Sequence, residues 1–183
     1  MEFVEPIRDV EDIIKIKKWL YQHSKRDYLF FIFGINTGLR ISDLLYVKVK
    51  DIHKEGTVEE FFAPPGTDTA FYLNKIVRHA LIDYLNNCLL DEEDYLFRSR
   101  KNNQPITRQQ AYRIINRAAQ EAGIEGKIGT HTLRKTFGYH AYKKGIALSI
   151  LQNIFNHSTP SDTLNYIDID PYTEGPIKVD VNL

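Results

Sequence analysis

Residues 129–168 read GTHTLRKTFGYHAYKKGIALSILQNIFNHSTPSDTLNYID, and the spacing of two histidines, an arginine and a tyrosine in this stretch decides the fold. His131 and Arg134 are three positions apart, so on a helix they share one face. Thr130 suits the N-cap just ahead of them, and Gly145 suits the stop beyond. His131 then falls in the first turn, where unpaired backbone N–H groups and the helix dipole favour an anion. A phosphate docked there would meet an imidazole and a guanidinium together. Asn156-His157 follows, then Tyr166, with Ser161 placed to cap a short helix that carries the tyrosine.

A second block, TGLRISDLL at 37–45, presents Arg40 at a turn after an apolar segment. HxxR alone recurs by chance, but TGLRISDLL, HTLR, Asn-His and Tyr in this order resemble the tyrosine recombinases, the phage-integrase-like family. The resemblance covers nearly the whole chain, and only as the catalytic domain. It implies an α+β fold, mainly α-helical, with a small antiparallel β-hairpin sheet. It implies a site-specific recombinase or integrase that cleaves and rejoins double-stranded DNA through a 3′-phosphotyrosyl intermediate, acting as a homo-oligomer on DNA. The roles it carries to this sequence are catalytic for Arg40, His131, Arg134, His157 and Tyr166, with Asp43 orienting Arg40. No cofactor and no metal are implied.

The sequence departs from that family in one place. A lysine near the hairpin tip is expected to protonate the departing 5′ oxygen, yet residues 55–74 contain no lysine or arginine. Aligned backwards from residues 71–74, Pro64 or a neighbour stands where the lysine belongs. Lys54 and Lys75 flank the hairpin at its base, and either of them or a partner's lysine is the rival source of the proton. The alternative function is therefore a catalytically impaired DNA-binding protein of the recombinase fold. Five of the six expected catalytic side chains are in place, which favours an enzyme.

Elementary chemistry supports the assignment. A phenol with a pKa near ~10 is a poor nucleophile at neutral pH. It needs positive charge at the phosphate, from Arg40 and Arg134, and a proton acceptor, for which His131 is placed. His157 would hydrogen-bond the phosphate. Tyr139 and Tyr172 are weaker nucleophile candidates. Taken singly, each histidine reads as an ordinary core or surface residue, and Arg40 as a partner of Asp43. A metal hydrolase is disfavoured, because no HxxxH, HxH or His/Asp cluster accompanies His131 and His157.

Length and charge bound the rest. With 183 residues the chain is one domain, or one with short appendages. The expected division is 1–169 as catalytic domain and 170–183 as a tail, a linker then a short strand, docking on a neighbouring subunit or on its own domain. About eight residues precede the first expected helix, so the reading expects either a fragment or a minimal protein that works with a separate core-binding domain or partner protein. No apolar run is long enough to span a bilayer, no signal-peptide pattern is present and Cys88 is the single cysteine, so a cytoplasmic protein is expected. Net charge is zero, but residues 98–144 hold eleven basic against two acidic side chains, a balance of +9 that leaves −9 elsewhere. This asymmetry fits a basic DNA-facing side, with Arg108, Arg113, Arg117 and Lys135 as candidate DNA contacts.

Periodicity and caps place the remaining elements. Asp9 caps a helix over about 10–24, and Ser24 with Asp27 reads as a capping box for an apolar, buried helix that Gly38 ends. Ser42 caps a short helix after Arg40. Strands are expected over 57–62 and 69–73. Asn74 caps a helix over 75–89 with Ile76, Ala80, Leu81, Tyr84, Leu85 and Cys88 inward. Thr107 and Gln110 form a capping box for a helix that stops at Gly123, and helices follow from His131, near 147–155, and at Tyr166.

Overall fold

The computed structural model describes residues 4–170, so the expected tail strand and Tyr172 lie outside the described residues. Nine helices and two small antiparallel sheets are present among them, which bears out the α+β, mainly helical reading. Helix α1 (Val10–His23) starts at Asp9, whose side chain accepts from the Glu11 N–H. Helix α2 (Lys25–Thr37) starts at Ser24, which accepts from the Asp27 N–H. The reciprocal half of that capping box does not form, because Arg26 engages the Asp27 carboxylate.

α2 is the central pillar. Leu29, Phe30, Phe31, Ile32 and Phe33 are fully buried, as expected for a helix that is apolar all round. It packs against α1, α5 (Lys75–Asn86) and α7 (Thr130–Lys143). Two glycines allow the approach of α7. A Cβ on Gly34 would lie 2.6 Å from Leu133 Cδ1, and one on Gly38 would lie 2.5 Å from the Phe137 ring. Gly34 and Gly38 are four apart on α2, as Leu133 and Phe137 are on α7, so two matched ridges meet. Gly38 also takes φ 71 at the C-cap, a conformation that suits glycine. The chain turns there and delivers Arg40 to the start of α3 (Ile41–Leu45), which α4 (Val49–Ile52) follows.

The strands differ from expectation. Glu55 and Gly56 both have positive φ, a two-residue hairpin turn that folds β2 (Thr57–Val58) back on β1 (His53–Lys54). The single strand expected over 57–62 is split at Glu59-Glu60, so that its first half pairs with β1 and its second half does not. Only β3 (Phe61–Phe62) pairs with β4 (Phe71–Tyr72), in the register Phe61↔Tyr72 and Phe62↔Phe71. Phe62 and Phe71 face the core, and Phe61 and Tyr72 pack on each other at the surface. Asn74 caps α5 as expected, but Ile76 is exposed rather than inward, and the helix ends at Asn86.

α6 (Arg108–Glu121) begins with the Thr107/Gln110 capping box and ends before Gly123 at φ 71. Three other caps fall one or two residues ahead of the expected ones. Gly129, not Thr130, precedes α7, and the Thr132 hydroxyl accepts the Gly129 N–H. Arg40, not Ser42, precedes α3. Thr159, not Ser161, caps α9 (Pro160–Tyr166), in a box with Asp162 and with Pro160 at the first helical position. Between them α8 (Leu148–Phe155) ends at Asn156, which takes the left-handed conformation.

The buried residues form two clusters. The large one runs through α1 to α7. The small one is Leu151, Phe155, Ile167 and Ile169, with Phe137 and Tyr166 among the partly buried side chains around it. Gly138 seats α7 on this second cluster, since a Cβ there would lie 2.5 Å from Ile167 Cγ2 and 2.6 Å from the Phe155 ring.

Candidate active site

Arg40 and Arg134 line one cleft of about 440 Å3, together with Asp43, Pro65, Gly66, Thr67, Thr69, Phe71, Asn153, Ile154 and Asn156. The α2–α7 contact is what brings the two arginines together, because Arg40 follows the α2 cap and Arg134 lies on the first turns of α7. Arg40 is exposed, and its guanidinium forms no ion pair or hydrogen bond among the described residues, Asp43 included. Arg134 is fixed instead. Its Nη2 donates to the Ile154 carbonyl at 2.9 Å and its guanidinium lies 4.9 Å over the Phe155 ring. Its Nε is buried with no hydrogen-bond partner among the described residues.

Phe155 joins the arginine to the rest of the site. Its ring centroid lies 5.2 Å from that of Tyr166 and 5.4 Å from that of His157, and the latter two rings are 5.1 Å apart. The left-handed Asn156 turns the chain so that His157 folds back toward α9, where its Nδ1 meets Thr163 Oγ1 at 3.0 Å. That contact leaves Nε2 as the ring nitrogen open to a ligand. The Tyr166 hydroxyl is buried and, like Arg134 Nε, lacks a partner among the described residues. A buried unpaired polar group costs about 1–3 kcal/mol.

The charges act on one another across this cluster. Burial raises the Tyr166 phenol above its ordinary value, and the Arg134 and Arg40 charges oppose that rise. Burial holds His157 below the ordinary histidine value, with Arg134 adding to the effect and Asp162 opposing it. Partial burial also lowers His131, assisted by the charges of Arg134, Lys135 and Arg108. His131 opens α7 with more than a third of its surface in solvent. Burial likewise lowers Lys135, whose Nζ donates to the Val4 carbonyl at 2.8 Å and lies 5.4 Å over the Tyr166 ring.

The four candidate DNA contacts separate into three places. Arg108 lies within charge range of His131. Lys135 is buried beside Tyr166. Arg113 and Arg117 line a different hollow of about 410 Å3 with Trp19, His23, Arg26 and Arg100, and Arg117 lies 5.7 Å over the Trp19 ring. The hairpin loop reaches the Arg40–Arg134 cleft through Pro65, Gly66, Thr67 and Thr69, none of which carries a cation. Lys54 pairs with Glu59, and Lys75 borders a separate hollow with His53, Thr57 and His79. Sequence reading missed Phe155 and Thr163. The adjacency of Phe155 to Asn156-His157 was its one available signal, and Thr163 gave none.

A helical domain with two arginines converging on a cleft and an aromatic pocket holding His157 and Tyr166 has close counterparts. The XerA recombinase structure superposes with a TM-score of 0.76 at 21% identity, over 94% of this chain and 62% of that one. XerH site-specific recombinase bound to palindromic difH substrate superposes with a TM-score of 0.69 at 20% identity, over 90% of this chain and 49% of that one. The probable integrase/recombinase YoeC of Bacillus subtilis is 43% identical over 173 residues, 94% of each chain. A tyrosine recombinase of Pseudothermotoga lettingae is 31% identical over 147 residues, 80% of this chain and 50% of that protein. The fold is thus that of a tyrosine-recombinase catalytic domain, and this chain spans about half the length of the Pseudothermotoga protein. Residues 7–172 match the phage integrase family, and the chain belongs to it.

Proposed function

We propose that this domain cleaves and rejoins double-stranded DNA at specific sites through a covalent phosphotyrosyl intermediate on Tyr166. The observation that carries the reading is the meeting of Arg40 and Arg134 in one cleft, with the Tyr166 phenol within charge range of both. Arg40 and Arg134 bind the non-bridging oxygens of the scissile phosphate and stabilise the charge that builds there. Asp43, on the same cleft, orients Arg40 once a phosphate is bound. The Tyr166 oxygen attacks phosphorus, its proton passes to the neutral His131, and His157 Nε2 hydrogen-bonds the phosphate. The bond to the 5′ oxygen breaks as the 3′-phosphotyrosyl bond forms. That bond keeps the energy for religation, so no cofactor enters the cycle.

Arg108, beside His131, contacts the DNA backbone next to the scissile phosphate, and the basic surface of residues 98–144 supplies further phosphate contacts. Relatives in fold support a DNA partner and more than one copy: XerH is seen on difH, and a lambda integrase dimer on a core site. Residues 1–169 act as the catalytic domain, with 170–183 as a tail. No helix among the described residues is long and apolar enough to cross a membrane, and we place the protein in the cytoplasm, with its DNA.

A suicide duplex, nicked so that the cleaved strand diffuses away, tests the reading. A covalent protein–DNA complex should accumulate and disappear on protease digestion. DNA binding without any covalent complex would instead establish the binding-only alternative.

A further inference from the structure

Residues 4–8 lie along α7 and the segment before it as a strap, tied at every second residue or closer. The Glu5 N–H donates to the Lys127 carbonyl and the Ile7 N–H to Thr136 Oγ1, each at 2.9 Å. His140 Nε2 donates to the Ile7 carbonyl at 2.9 Å, and Lys135 Nζ to that of Val4 at 2.8 Å. The Ile7 side chain is buried in the large core. The strap is therefore a rigid part of the α7 surface, and Arg8 leaves it from a fixed point. Its guanidinium lies 6.0 Å over the Tyr139 ring and forms an ion pair with Asp168.

Asp168 is two residues beyond Tyr166, in the left-handed conformation at φ 60 that ends the tyrosine helix. α9 is only seven residues long and has little stability of its own. Its N-terminal end is held by the Thr159/Asp162 capping box, and its C-terminal end carries the phenol. Beyond the phenol, Ile167 and Ile169 are buried in the satellite cluster, and Arg8, 160 residues earlier in the chain, adds the ion-paired tie at Asp168 between them.

We propose that Arg8, acting through Asp168, is a positioning residue for Tyr166: it anchors the end of α9 to the α7 surface and so fixes the phenol against Arg134. The proposal rests on Tyr166 being the nucleophile. A solvent-facing ion pair contributes little to global stability. The end of a seven-residue helix is different, because a misplacement of ~1 Å at a reacting atom costs about 10²-fold in rate. The pair therefore acts on the chemical step and not on folding or DNA binding.

The test is a double-mutant cycle on the full chain with Arg8→Ala and Asp168→Asn, the asparagine chosen because it tolerates positive φ. Single-turnover cleavage of the suicide duplex should fall about tenfold in either variant and no further in the double, with DNA affinity and thermal midpoint unchanged. Arg8→Lys should restore most of the rate. Hydrogen exchange supplies a readout free of catalysis: the α9 amides should exchange faster in Arg8→Ala while those of α2 stay protected. Wild-type cleavage and wild-type α9 exchange in Arg8→Ala would overturn the proposal, as would losses that multiply in the double variant. If the wild-type chain forms no covalent complex, the nucleophile reading fails, and α9 exchange alone decides the tie.

Discussion

The arginine platform and the tyrosine helix rest on different foundations. Arg40 and Arg134 are delivered by α2 and α7, which interlock through Gly34, Gly38, Leu133 and Phe137 above fully buried phenylalanines of the main core. Tyr166 stands on α8 and α9, eight and seven residues long, over a satellite cluster of four buried side chains. The backbones that carry the two arginines thus rest on the main core, whereas Tyr166 rests on the satellite cluster, which also holds the Arg134 guanidinium through Ile154 and Phe155 and is expected to open at lower cost.

A third element, the hairpin, contributes shape to the cleft and no proton, and this gives the largest expected effect. General-acid assistance is worth about 10²–10⁴-fold. A duplex with a 5′-bridging phosphorothiolate, whose sulfur leaves unprotonated, should therefore be cleaved faster than the ordinary duplex by that order. Matched rates on the two substrates would show that Lys54, Lys75 or a partner's lysine reaches the cleft after all.

The platform itself is tested next. Arg134→Ala and Arg40→Ala should each lower single-turnover cleavage by about 10²–10³-fold, the usual cost of removing one preorganised donor. Arg134→Ala should in addition loosen the Phe155–Tyr166 packing, seen as faster exchange in α8 and α9. Arg40→Ala should leave it unchanged, because no hydrogen bond or ring contact among the described residues joins the Arg40 side chain to either element. Equal exchange profiles in the two variants would break the distinction between the two arginines.

The foundations are separated by two glycine substitutions. Gly34→Ala forces a Cβ against Leu133 and Gly138→Ala forces one against Ile167 and Phe155. Overpacking of this kind costs about 1–3 kcal/mol. Gly34→Ala should lower the thermal midpoint of the whole domain. Gly138→Ala should act mainly on α8 and α9, speeding their exchange and slowing cleavage while α2 keeps its protection. A uniform loss of protection in Gly138→Ala would mean that the two clusters unfold as one.

The smallest effect is that of pH. His131 and His157 are held below the ordinary histidine value, near ~6.5, so both stay neutral further into acid than free histidine does. Cleavage should be level through neutral pH and decline only below that ordinary value, as His131 gains a proton and ceases to be a base. The raised phenol of Tyr166 adds no increase as pH approaches ~10. A pH–rate profile with its acid limb centred above ~6.5 would contradict this.

Much of this was legible in the sequence because the signals are local. Asp9, Thr107 with Gln110, and Asn74 cap their helices through contacts spanning two or three residues. The spacing of His131, Arg134, His157 and Tyr166 is likewise a property of one continuous stretch. What escaped was competition between neighbours and contact at long range. Ser42 and Ser161 are good caps that lost to Arg40 and Thr159, the latter favoured by Asp162 and Pro160. The strand expected at 57–62 is split at Glu59-Glu60, because a Glu55-Gly56 turn that reads as polar filler pairs its first half with residues 53–54 and leaves its second half to residues 71–72. Phe155 looks like any core phenylalanine until Arg134, His157 and Tyr166 are seen packed on it. Arg113 and Arg117 were grouped with Arg108 by charge alone, although helical rotation sends them to another hollow. No local pattern announces that residues 4–8 lie on α7 or that Arg8 meets Asp168.

The most direct test of the whole account is to trap the covalent complex on a suicide duplex, digest it and locate the modified residue by peptide mass. The nucleotide should be found on Tyr166 alone, and Tyr166→Phe should form no adduct on either the ordinary or the phosphorothiolate duplex while still binding DNA. An adduct on Tyr139 or Tyr172, or one that persists in Tyr166→Phe, would contradict the claim that the platform and the tyrosine helix form one active site.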